Sequence, residues 1–259
     1  MIDLILLLLA GQVAAAPASQ TRYEACVNRA EDDPVVGERE ATRWRIEGGG
    51  YFARQCEGIA IANQHRWPSA AAAFEEAAHA AELSHDRRSA AYWSQAGNAW
   101  LAAGEPGKAR AALDAALASG ELDGLALGEA RLDRARALVA AGDLTEARTD
   151  LDAALVSAKA DPLAWLLSAT LARRAGDLSR AQHDIIEALA RAPDDASVEL
   201  ERGNIAAARG DVPEAEAGWR EAMKVQPASP AAVNAAVALT QFESTPTSTG
   251  TGTRKIDGR

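Results

Sequence analysis

The chain has 259 residues, of which 48% are hydrophobic, and a formal charge of −10 with a pI near 5.0. It is long enough to bury a sizeable core, and its apolar content is dominated by Ala with few strand-forming Val, Ile, Tyr and Phe, which argues for an all-α fold. The acidic balance opposes docking on phosphate backbones or anionic lipid, so no nucleic-acid partner is expected.

Residues 4–16 form an apolar run that ends in small residues, the layout of a secretory signal peptide. The run is shorter than the roughly 20 apolar residues a membrane span needs. Ala16-Pro17-Ala18 supplies the small-x-small pattern, so residues 1–18 are expected to be a leader and the mature chain to begin at Ser19. Leu9-Ala10-Gly11-Gln12 resembles a lipoprotein cleavage box, but Gln12 stands where the lipidated Cys would have to be. The expectation is therefore a periplasmic or secreted protein with neither a lipid anchor nor stable membrane insertion.

Residues 19–50 read as a helical hairpin that caps the fold. Tyr23, Cys26, Val27 and Ala30 fall at helical spacing. Asp32-Asp33-Pro34 breaks this helix and offers a cap to the next, which runs over residues 35–46 until Gly48-Gly49-Gly50 ends it.

Further along, Gly142-Asp143-Leu144-Thr145-Glu146-Ala147 returns as Gly176-Asp177-Leu178-Ser179-Arg180-Ala181 and as Gly210-Asp211-Val212-Pro213-Glu214-Ala215, each step being 34 residues. Self-similarity at that period marks a stack of helix-turn-helix units, each of which needs its neighbours to bury its apolar face. Gly97 and Gly203, with Ala135 and Ala169 in their register, are expected to face Ala109, Ala147, Ala181 and Ala215 across a pair, small against small. Gly104, Gly142, Gly176 and Gly210 should end first helices in a left-handed conformation. Asp143 with Glu146, and Asp211 with Glu214, have capping-box spacing.

The units also carry a recognisable signature. Trp93, Gly97, Trp100, Gly104, Ala109, Leu113 and Ala116 give its clearest instance. Trp165 through Pro193 and Gly203 through Pro227 give two more, while the opening unit has His65 where the others have Gly. Residues 51–227 thus resemble about five repeats of the tetratricopeptide family, which implies a right-handed α-solenoid that binds proteins or peptides. In that family the first helix of each pair lines a groove. The resemblance therefore implies that Ile59, Asn98, Arg136, Thr170 and Asn204, each one beyond the small packing residue, face it. Asn98 and Asn204 follow Gly97 and Gly203 as the asparagines of peptide-terminus-binding domains follow their glycines. Ser94 and Leu200 replace the lysine four residues earlier, so capture of a C-terminal carboxylate is not implied. Hydrogen bonding to neighbouring helices is the alternative role for these asparagines.

Residues 228–243 repeat the first-helix pattern without a second helix and read as a C-terminal cap. Residues 244–259 are rich in Thr, Ser, Pro and Gly and are expected to be a disordered tail.

Candidate chemistry is sparse. His65, His79, His85 and His183 are scattered, and none has a second ligand at metal spacing, so neither a metal nor a cofactor is expected. No phosphate loop or nucleophile elbow is present. The expected function is that of an exported, non-catalytic scaffold for a protein or peptide. The alternatives are an accessory or catalytic component of a cell-envelope enzyme and a self-associating envelope protein. A converging acid, base and nucleophile would favour the enzyme; a large exposed apolar end would favour self-assembly. Cys26 and Cys56 are the only cysteines, and in an exported chain such a pair is expected to be bonded, with the first and third helices side by side.

Overall fold

In the computed structural model, which describes residues 18–244, the described chain is thirteen α-helices without a strand. The expected leader and tail lie outside the described residues, except for Ala18, where the first helix begins, and Ser244, where the last one ends. The described residues divide into two compact units, 18–122 and 123–244. The division falls between Gly104 and Gly142, which are 38 residues apart where the later turn glycines are 34 apart. Each unit is a run of stacked helical hairpins, the all-α solenoid architecture the sequence implies.

The first unit contains α1 (Ala18–Asp32), α2 (Pro34–Ile46), α3 (Gly50–Ala62), α4 (Trp67–Leu83), α5 (Ser89–Ala102) and α6 (Pro106–Ala118). Consecutive helices pack together, and α1 also packs on α3. Cys26 and Cys56 are joined by a disulfide with a Cα–Cα distance of 6.2 Å, and both sit in a cluster with Ala30, Ala41 and Trp44.

The second unit contains α7 (Gly124–Ala141), α8 (Leu144–Ser157), α9 (Pro162–Arg174), α10 (Leu178–Arg191), α11 (Ala196–Arg209), α12 (Val212–Val225) and α13 (Pro230–Ser244). Here α7 touches α9, α9 touches α11, and α11 touches α13, so alternate helices line one side. The face of α13 turned to solvent carries Val233 and Val237, exposed one turn apart.

Turn chemistry explains where the helices stop. Gly104, Gly142, Gly176 and Gly210 all have φ between +73° and +89°, as expected. At each, the amide of the residue after the glycine reaches back to a carbonyl five residues earlier, for example Asp143 to Leu138 and Asp211 to Ala206, both at 2.9 Å. His65 and His85 do the same without glycine, at φ +57° and +53°, the amides of Arg66 and Asp86 reaching Ile61 and Ala81. Two of the scattered histidines therefore hold a backbone conformation that disfavours any residue with a Cβ.

That geometry corrects the capping-box reading. The Asp211 side chain accepts from the Glu214 amide at 3.3 Å, but the reciprocal bond from Glu214 is not made, because the Asp211 amide is already committed to Ala206. Glu214 pairs with Arg202 instead. The Asp143 side chain makes no capping hydrogen bond to the first amides of α8, whereas Asp177, with Arg180 at the box position, does cap its helix.

At the glycines a large side chain joins the small residues across the pair: Gly203 lies against Ala215, whose carbonyl would be 2.9 Å from an added Cβ, but a large side chain is nearer still. A Cβ on Gly97 would lie 2.5 Å from Leu113 Cγ, one on Gly58 2.6 Å from Phe74, and one on Gly203 2.6 Å from Trp219. The glycine is a hole, and the knob that fills it is the large residue one turn beyond the alanine. A helical phase shift of one turn separates the two readings, and only the packed pair decides it. Partly buried ion pairs add ties between helices. Arg134 grips Asp150 through two bonds of 2.6 and 2.7 Å, and Arg173 reaches Glu201 at 2.6 Å, joining α9 to α11.

Candidate partner-binding groove

The first helices α7 and α9 present a concave surface. Ala135 and Ala169 are buried in the pairing seams, and the helical step of about 100° turns the next residue outward. Arg136 is exposed and Thr170 partly so. Both line one cavity of about 400 Å³, together with Val139, Leu167 and Arg174, floored by buried Leu151 and Leu171. Arg136 pairs with Asp133 at 2.8 Å on its own helix, while Arg174 is exposed and has no ion pair or hydrogen bond among the described residues.

Two of the five expected groove residues are thus brought together. Asn204 is partly buried in a different setting. Its Oδ1 accepts from the Trp219 indole at 3.0 Å and its Nδ2 donates to Glu201 at 3.2 Å, so both ends of the amide are occupied within the fold. Ile59 and Asn98 belong to the other unit. There Ile59 is partly buried against the cluster around the disulfide, and Asn98 is exposed. Arg174 is not among the expected groove residues, although its position four residues after Thr170 places it on the same helical face.

The first unit carries a polar chain across α1, α3 and α5. The Tyr23 hydroxyl donates to Gln55, and Gln55 Nε2 donates to Gln95 at 3.1 Å. Beside it, Tyr51 donates to Asp86 at 2.8 Å and Arg88 donates to the same carboxylate at 2.7 and 2.8 Å, with its guanidinium 4.5 Å from the Phe52 ring centroid. The Arg88 bonds, helped by Tyr51, hold the Asp86 carboxyl well below the usual carboxylate range. Burial pushes the Tyr92 phenol well above its ordinary value, and burial with the Asp86 contact raises Tyr51.

One cluster combines the residue types of hydrolytic chemistry. Ser168 Oγ donates to Asp184 Oδ2 at 2.5 Å, and Asp184 Oδ1 lies 2.9 Å from His183 Nδ1. A nucleophilic serine needs an adjacent base to receive its proton and an open path to substrate. Here the carboxylate sits between Ser168 and His183, and Ser168 is fully buried. The arrangement ties α9 to α10 and does not form a nucleophile–base relay. Among the described residues no cluster of His, Cys, Asp or Glu has a metal-binding arrangement, and no helix is long and apolar enough to cross a membrane.

Stacked hairpins whose first helices share a cavity define a helical-repeat protein. The tetratricopeptide repeat model matches residues 57–124, 132–181 and 166–233, more than half of the chain. The chain belongs to the tetratricopeptide repeat family. No curated protein sequence matches it. Among solved structures it is similar to PilW, described as a widely conserved type IV pilus biogenesis factor, at 18% identity and a TM-score of 0.70 over 85% of this chain and 99% of that one. It is also similar to PilF of Pseudomonas aeruginosa, at 12% identity and a TM-score of 0.67 over 86% and 100%. A third neighbour is YrrB, described as having an unusual peptide-binding site, at 18% identity and a TM-score of 0.55 over 86% and 100%. At these identities the likeness is one of fold.

Proposed function

We propose that the chain is an exported, non-catalytic scaffold that holds a protein partner on the first-helix face of its repeats. The observation that carries this reading is the cavity between α7 and α9, rimmed by Arg136 and Thr170, where the repeat register expects a groove. The disulfide supports an oxidising compartment, and with it the leader reading of residues 1–18 and a periplasmic or secreted location. In the same reading α1 with α2 and α13 are the caps of the repeat array. A peptide-binding site is described for YrrB and pilus biogenesis for PilW; an envelope scaffold for this chain accords with both. Affinity capture from the envelope fraction, with mature protein as bait, tests the proposal. The expected result is a partner whose recovery falls for Arg136→Ala and Thr170→Ala. A partner retained equally by both variants would overturn the groove reading.

A further inference from the structure

Resting on that reading, we infer that the α7–α9 cavity takes an internal partner segment in which a large aliphatic side chain stands next to an acidic side chain. The cavity's volume of about 400 Å³ lies within the range of about 300–1,000 Å³ typical of ligand pockets. Its interior is Ala135, Val139, Leu151, Leu167 and Leu171, without a buried polar group to satisfy, so the inserted group is aliphatic. The rim supplies the sign of the neighbouring charge. Arg174 and Thr170 stand one turn apart on α9, and neither side chain has a hydrogen-bond partner among the described residues. Arg136 adds a second positive charge from α7, shared with Asp133. On a chain of net charge −10, a cationic rim selects a carboxylate that most of the surface repels.

The carboxylate comes from a side chain and not from a chain terminus. Terminal capture needs an amide donor to hold the second oxygen at the end of the groove, and no asparagine lines this cavity, Asn204 being bonded to Trp219 and Glu201 elsewhere in the fold. An internal acidic residue needs only the Arg174 guanidinium and the Thr170 hydroxyl, a charge-assisted pair on one face of one helix.

The probe is a fluorescent nine-residue peptide, acetylated and amidated, with a central Leu-Glu pair among serines and glycines. Anisotropy titration against the disulfide-bonded protein should show saturable binding that weakens as salt is raised. Replacing Glu with Gln in the peptide, or Arg174→Gln in the protein, should each weaken it about tenfold, as for loss of a charge-assisted contact. Replacing Leu with Ser should abolish it. Thr170→Val keeps the shape of the wall and should weaken binding less than Arg174→Gln. No saturable binding, indifference to Arg174→Gln, or tighter binding of a peptide whose only carboxylate is its free C-terminus would each overturn the inference. If the envelope partner still depends on Arg136 while the blocked peptide fails, the acidic–aliphatic chemistry falls and the groove reading stands.

Discussion

Trp219 on α12 donates its indole N–H to Oδ1 of Asn204 on α11, and the same asparagine donates to Glu201, which in turn accepts from Arg173 on α9. A residue expected to meet a ligand is therefore a joint between three helices. Asn204→Ala should lower stability by about 1–3 kcal/mol, the cost of leaving the Trp219 and Glu201 groups short of a partner. Trp219→Phe in the Asn204→Ala background should cost less than in the parent, since the orphaned indole is then gone. Chemical denaturation of the four proteins of this cycle checks it; strictly additive effects would dissolve the coupling.

Reduction of the disulfide is the second test. Closing a separation of 30 residues restricts the unfolded chain, and the chain-entropy model puts the stabilisation at about 3–4 kcal/mol. Cys26→Ala with Cys56→Ala should lower the melting temperature to match that of the reduced parent. Intact mass should rise by two hydrogens on reduction. Unchanged mass with two alkylatable thiols in the untreated protein would show that the bond is absent.

Asp86 gives a pH prediction. Its carboxyl is held below the usual range in the folded state, so the folded state favours the ionised form. The resulting stabilisation is fully present above the ordinary Asp value of about 4 and is lost as pH falls through the lower folded value. Asp86→Asn should therefore be less stable than the parent at pH 7, with the gap closing as pH falls from about 5 toward 2. A gap that stays constant over that range would mean that charge is not the cause.

Backbone conformation and packing give opposite signs at two residues of one unit. His85→Gly removes a Cβ from an exposed left-handed position and should stabilise by about 0.5–1 kcal/mol. Gly97→Ala adds a Cβ 2.5 Å from Leu113 Cγ and should destabilise by about 1–3 kcal/mol. Thermal melts of the two variants beside the parent decide both.

The repeat itself was legible because its glycines report a backbone requirement that any reader of the sequence can see: Gly142, Gly176 and Gly210 recur at one period and all three are left-handed. What Gly97 faces was not legible, since Ala109 and Leu113 lie one turn apart on the same face of α6 and the register of two packed helices is a property of the pair. The box at Asp211 failed for a similar reason. Residue types announce which bonds are available, but not that the amide has already gone to Ala206. Register places Arg136 and Thr170 on the wall of the α7–α9 cavity, while Asn204, equivalent by register, is bonded to Trp219 and Glu201. The Tyr23–Gln55–Gln95 chain has no repeat and no motif, so nothing short of the fold assembles it.

The bond from Cys26 to Cys56 encloses all of α2 while binding α1 directly to α3. A pull on α1 is thus carried to the third helix through the sulfurs, and α2 rides outside the line of force. A protease that nicks the glycine run at residues 48–50 would open a ring and not release an end, so the severed N-terminal piece would stay tethered until a reductant let it go.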